Sequence, residues 1–220
     1  MEPQSVIVGF PHGTLVHAFF MTSVFRALEL PEFVHDMIQT NSGPMISGAR
    51  NSIVRHFLSH PAQPHWLLSL DTDMVFGVDE VRTILKHADP DETPILGGLT
   101  FAGNARYQFP VILREEGGEL RQVHDYPRDT IFECDGTGAA FLLIHRRVFE
   151  KVPYPWWHYG QYGEDEWFCE RARKHGFPIK VDTSVKIGHV KPVVLNEAWF
   201  DHTRQAGFEM QDWVKDVLYE

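Results

Sequence analysis

Residues 5–87 alternate between short apolar runs and amphipathic helical stretches, and that alternation restricts the chain to a layered α/β fold. Ser5-Val6-Ile7-Val8-Gly9-Phe10 reads as a strand broken by Pro11-His12-Gly13, with Thr14 placed to cap a helix. In that helix Val16, Phe20, Val24 and Leu28 recur every four residues and form an apolar stripe. Phe33 to Ile38 is a second strand, and Ser47 opens a helix with Ile53, Val54, Phe57 and Leu58 facing inward. Trp66 to Leu70 is a third strand, and Val78 to His87 a third helix closed near Pro90. Three strand–helix units in a row predict a parallel sheet with right-handed crossovers.

The pattern then becomes mixed. Short strands are expected at Ile95–Phe101, Val111–Arg114, Leu120–Val123, Thr130–Cys134 and Ala139–Ile144. Gly117-Gly118 marks a hairpin between the second and third of these. A helix follows from about Glu164 to His175, with Gly176 as its C′ residue. Two more short strands, Ile179–Asp182 and Val185–Gly188, precede a tail read as helical from Asn196 to Glu220. No repeat, low-complexity stretch or linker divides the 220 residues, so one domain is expected.

The formal charge of −10 argues against a nonspecific grip on nucleic acid or on an anionic membrane, since either needs a basic surface. No apolar run approaches the roughly 20 residues of a membrane span, and the N-terminus has no basic leader. Cys134 and Cys169 have neither the number nor the spacing of a zinc site or disulfide framework. A reducing, cytoplasmic setting is therefore expected.

Chemistry concentrates first at Asp71-Thr72-Asp73, directly after the apolar run Trp66-Leu67-Leu68-Ser69-Leu70. Two acids at a buried strand's end contribute little to a core. They lie where open α/β sheets bind ligands, and their oxygens suit Mg²⁺ or Mn²⁺ beside a phosphate. A turn or a helix cap is the structural alternative, but Asp79 and Glu80 are better placed to start the next helix. Gly163-Glu164-Asp165-Glu166 opens a later helix. Acids in a first turn complement the helix dipole, and a carboxylate there also suits a general base. Before it runs Trp156-Trp157-His158-Tyr159-Gly160-Gln161-Tyr162, which reads equally as a loop stacking on a sugar-like ligand or as a core plug. His189, after a strand and a glycine, is of a type to complete a site begun by two carboxylates. Gly136-Thr137-Gly138 allows close approach of a ligand to the backbone, or is simply a tight turn. Arg50-Asn51 sits early in the second helix, where a guanidinium can pair with phosphate or carboxylate or remain a solvated surface group.

Taken in order, the Pro11-His12-Gly13 break, Ala49-Arg50-Asn51, Asp71-Thr72-Asp73, Gly136-Thr137-Gly138, Glu164-Asp165 and Ile187-Gly188-His189 resemble the GT-A-fold glycosyltransferases. The resemblance covers most of residues 5–192, and the compact form is similar to enzymes encoded by bacteria and phages. It implies a mostly parallel, Rossmann-type mixed sheet flanked by helices. Residues 1–100 would form the nucleotide-sugar half, 101–192 the acceptor half and 193–220 a helical tail. It further implies that Asp73 and His189 bind Mn²⁺ or Mg²⁺, with Asp71 on the donor's ribose or sugar and on the metal through water. Pro11 and His12 would lie near the base and Arg50 near the donor. Gly136, Thr137, Gly138, Trp156 and Trp157 would lie on the acceptor side. Asp165 would be the base, with Glu164 next to it, and reaction would invert the anomeric centre. The donor would be a UDP- or GDP-sugar, and the acceptor a protein, glycan, small molecule or modified nucleic acid.

Two other classes fit part of the pattern. Leu70-Asp71-Thr72-Asp73-Met74-Val75 matches the first motif of haloacid-dehalogenase-like phosphatases, with Asp71 as nucleophile. Two strand–helix units precede it, however, where that family usually begins. A carbohydrate- or nucleotide-binding module without turnover is the non-enzymatic alternative.

Overall fold

The computed structural model describes residues 5–104, 107–161, 163–192, 197 and 201. Met1–Val190 form one compact unit and Lys191–Glu220 a second; the fold below is that of the first. The helix expected from Asn196 onward lies almost wholly outside the described residues.

The three strand–helix units form as the hydrophobic spacing dictates. They are β1 (Val6–His12), α1 (Ala18–Leu28), β2 (Phe33–Asn41), α2 (Ile46–Ser59), β3 (Trp66–Leu70), β4 (Met74–Val75) and α3 (Val78–Lys86). Beyond them come β5 (Ile95–Leu99), the β6 (Phe101–Gly103)/β7 (Gln108–Pro110) pair, β8 (Ile112–Glu116) and β9 (Glu119–Gln122). Next are β10 (Ile131–Cys134), β11 (Gly136–Thr137), β12 (Phe141–His145) and α4 (Arg146–Lys151). The series ends with α5 (Glu164–Lys174), β13 (Ile179–Lys186) and β14 (Gly188–His189).

Seven strands make the main sheet, in the order β10-β13-β5-β12-β3-β1-β2. Pairs β2–β1, β1–β3 and β5–β13 are parallel, while β12 runs antiparallel to both its neighbours, β3 and β5. The sheet is therefore mixed. β3 and β12 lie at its centre, covered on both faces, which is why Trp66–Leu70 and Phe141–Ile144 read as near-unbroken apolar runs. The expected strand at Ala139 starts two residues later, because Ala139 and Ala140 serve as backbone partners for the site.

Period-two alternation divides the core between the sheet's faces. Val6, Val8, Trp66, Leu68, Leu70, Leu96, Phe141 and Leu143 pack with α1 and α3. Ile7, Leu67, Ile95, Leu142 and Ile144 pack with α2, α4 and α5. The Gly117-Gly118 hairpin forms between β8 and β9 with both glycines at positive φ (63° and 86°), the left-handed geometry glycine adopts without strain. Gly176 follows α5 at φ 83°, as a C′ glycine should.

Other expectations shift as well: α1 begins at Ala18 with His17, not Thr14, at its N-cap, and the strand expected at Ile95–Phe101 divides into β5 and β6. β1 continues through Pro11 to His12, because it pairs with β2 out to Asn41. The two short strands expected at 179–188 are one strand, β13, separated by Ile187 from β14.

Candidate active site

β1 and β3 are parallel with Gly9 opposite Ser69, so their carboxyl ends share one edge of the sheet. His12 closes β1 there, and Asp71 follows β3. Ser69 and Asp71 continue the side of β3 that carries Leu67, the side that faces α2. Arg50 lies on the inward stripe of α2 with Ile53, Val54 and Phe57. Only 2% exposed, it donates from Nη1 to Ser69 Oγ (3.2 Å) and from Nη2 to Asp71 Oδ1 (2.7 Å). The serine that interrupts the apolar run is thus half of Arg50's socket. Beneath, the guanidinium lies 5.2 Å from the Trp157 ring centroid, and Trp157 stacks on Phe168 of α5 at 4.3 Å.

On its other side Arg50 faces the start of α5, with Nε 3.8 Å from Asp165 Oδ1 and 3.9 Å from Glu164 Oε1. Burial opposes the charge of Arg50, but Asp71, Asp165 and Glu164 outweigh it and raise its pKa. Asp165 Oδ2 accepts the Ala139 N–H at 3.0 Å, while Oδ1 is buried without a hydrogen-bond partner. Burial, with Asp71 and Glu164 acting in the same direction, pushes the Asp165 carboxyl up to about 7, against the pull of Arg50 and the Ala139 N–H. That value suits proton transfer near neutral pH.

The second acid is placed by a ladder too short to read from sequence. β4 pairs antiparallel with β14, His189 opposite Met74, and the Val190 N–H donates to Asp73 O at 2.8 Å. His189 Nε2 therefore lies 2.8 Å from Asp73 Oδ2, and Nδ1 lies 2.7 Å from Phe101 O. A carbonyl only accepts, so Nδ1 carries the proton and Nε2 is left toward the carboxylate. Two acceptors at this distance need a proton or a cation to hold them together. The carboxylate–imidazole pair, with its tautomer fixed from behind, fits one side of a divalent-cation site.

Several expectations change here. Among the described residues no three His, Cys, Asp or Glu side chains converge as a metal cage. Asp73 and His189 meet, while Asp71 Oδ1 is bonded to Arg50. Arg50 is enclosed rather than presented to a donor, because it shares the apolar stripe of α2. Trp156 and Trp157 are core residues, not an acceptor platform. Asn51 Oδ1 accepts from the N–H groups of both (3.0 and 3.1 Å), and its Nδ2 donates to Trp157 O (2.6 Å). Gly136 and Thr137 form β11 and are buried, with Thr137 Oγ1 donating to Val111 O at 2.8 Å. Gly138 is tight for a different reason: a Cβ there would lie 3.2 Å from Val111 Cγ1 and 3.6 Å from Asp165 Oδ2. Gly136 and Thr137 are thus part of the packed interior, and Gly138 lies against Asp165. Pro11 is buried and His12 half-buried at the end of β1, with His12 Nδ1 2.7 Å from Gly13 O. Both cysteines are free and buried, and burial pushes the Cys134 thiol up to about 12, so neither is a ready nucleophile.

Asn51→Ala removes three buried contacts to the Trp156-Trp157 segment at once. It should destabilise the protein by about 2–4 kcal/mol, read by urea denaturation. A loss under about 0.5 kcal/mol would mean that segment is anchored elsewhere.

The mixed sheet, with parallel core strands and helices on both faces, matches the GT-A fold of the glycosyltransferase structures it is similar to. The structure is similar to that of A197 from STIV, with TM-score 0.59, 17% identity and 86% of each chain covered. It is also similar to GalNAc-T7, solved with UDP, GalNAc and Mn²⁺, with TM-score 0.61 and 12% identity; the match covers 87% of this chain but 45% of that one. No family model matches the sequence, and neither does any curated protein. No helix among the described residues is long and apolar enough to cross a membrane.

Proposed function

We propose that this protein is a metal-dependent glycosyltransferase that moves a sugar from a nucleoside-diphosphate donor to an acceptor hydroxyl. The observation that carries this reading is the placement of Asp165, a carboxyl with one buried, unpartnered oxygen held one guanidinium away from the acid at the end of β3. Asp165 takes the proton of the acceptor hydroxyl. As the acceptor oxygen bonds to the anomeric carbon, the bond to the diphosphate breaks and the diphosphate leaves with the electron pair. Attack from the face opposite the leaving group inverts the anomeric centre.

Asp73 and His189 would hold Mn²⁺ or Mg²⁺, and the imidazole favours Mn²⁺. The cation would supply charge neutralisation of the departing diphosphate. Asp71, 29% exposed and oriented by Arg50, faces the donor's ribose or sugar. His12 and Pro11 at the end of β1 border the base. GalNAc-T7's complex with UDP and Mn²⁺ makes a UDP-sugar the first donor to try.

A thermal-shift panel of UDP- and GDP-sugars with Mn²⁺ tests the reading, since a ligand that binds only the folded state raises the melting temperature by mass action. One donor should shift it with Mn²⁺ and not with EDTA. No shift from any nucleotide sugar, together with hydrolysis of p-nitrophenyl phosphate, would favour phosphatase chemistry instead.

A further inference from the structure

We propose that Arg50 is a positioning residue that joins the two halves of this site through one guanidinium, orienting Asp71 while setting the proton affinity of Asp165. The proposal rests on the reading of Asp165 as the base.

Arg50 Nε and Asp165 Oδ1 are both buried, neither has a hydrogen-bond partner, and they face each other at 3.8 Å. Buried groups of opposite charge normally close to hydrogen-bond distance. Closure is prevented from both ends. Ser69 and Asp71 draw the guanidinium toward β3, and Trp157 supports its plane. The Ala139 N–H holds the other oxygen of Asp165. One cation thus serves two carboxylates and satisfies Asp71 first.

Asp165 therefore feels Arg50 from α2, Asp71 from the end of β3, Glu164 beside it, and the Ala139 N–H before β12. Cys169, one turn along α5, stays neutral because burial raises its thiol pKa. A donor hydroxyl that hydrogen-bonds to Asp71 relieves that acid's demand on Arg50. The Nε–H can then close on Asp165 and favour its ionised form. The base becomes competent when the donor is in place, which limits loss of the acceptor proton in an empty site.

The test is a ¹³C-carboxyl NMR titration of the full-length, metal-free protein, with the Asp165 signal identified by its loss in Asp165→Asn. Arg50→Gln should raise the Asp165 midpoint by about one pH unit or more, and Asp71→Asn should lower it by about as much, since neighbouring charges shift a carboxyl by such amounts. Arg50→Lys, which keeps the charge, should stay within about half a unit of wild type. Midpoints that do not move in Arg50→Gln and Asp71→Asn would overturn the proposal. If Arg50→Gln does not fold, Asp71→Asn is compared in the wild-type and Arg50→Lys backgrounds: coupling through the guanidinium predicts a larger downward shift with Arg50 in place, and equal shifts, the result of direct repulsion by Asp71 alone, would overturn the proposal. Failure of the transferase reading is separately visible as absence of turnover on any nucleotide sugar, which leaves these midpoints unchanged.

Discussion

Asp165→Asn should cut glycosyl transfer by roughly 10²–10⁴-fold while leaving the nucleotide-sugar thermal shift intact, the loss expected when a general base is removed without disturbing binding. The asparagine keeps an oxygen to accept the Ala139 N–H, so the N-terminus of α5 should hold its position. In the wild type, transfer should rise with pH through about 7, because the carboxyl must be ionised to take a proton. Stability should run the other way. A carboxyl whose folded pKa is raised contributes stability that is fully present below its unfolded pKa and is lost as pH rises through the folded value. Relative to Asp165→Asn, the wild type should therefore lose stability between about pH 4 and pH 7, by on the order of 4 kcal/mol over the window, a change urea denaturation at pH 4 and pH 8 can read. Near-wild-type transfer by Asp165→Asn would remove Asp165 from the mechanism.

Asp73→Ala should abolish Mn²⁺-dependent binding of nucleoside diphosphate in calorimetry. The substitution removes the carboxylate that His189 faces at 2.8 Å and leaves a single imidazole as the protein's contribution. Removing a first ligand is more severe than disturbing a residue behind it, where losses of 10–100-fold are typical. Unchanged affinity with Mn²⁺ would show that the Asp73–His189 pair is an imidazolium–carboxylate contact and nothing more.

The parts of the fold readable from sequence are those set by long periodic patterns. β3 begins and ends at Trp66 and Leu70 as its apolar run indicates, and α5 starts at Glu164 where its acidic first turn stands. The site was less legible because its geometry depends on contacts distant in sequence. Nothing local shows that Met74–Val75 and Gly188–His189 pair, yet that two-residue ladder is what brings His189 to Asp73. Arg50 falls on the same helical stripe as Ile53, Val54 and Phe57, where a surface arginine does not belong. Ser69 within an apolar strand was its counterpart. Trp156 and Trp157 read as a possible ligand platform because aromatics serve both purposes. Asn51, a buried polar residue 105 positions earlier than Trp156, ties them into the core instead.

The central claim is tested most directly by release of nucleoside diphosphate from a panel of nucleotide sugars with Mn²⁺ at pH 8. Wild-type protein should release it from one donor, release should stop with EDTA, and Asp165→Asn should bind that donor without releasing it. Saturable, Mn²⁺-dependent donor binding with no release by the wild type toward any hydroxyl acceptor or water would contradict the account and leave a binding module on a glycosyltransferase fold.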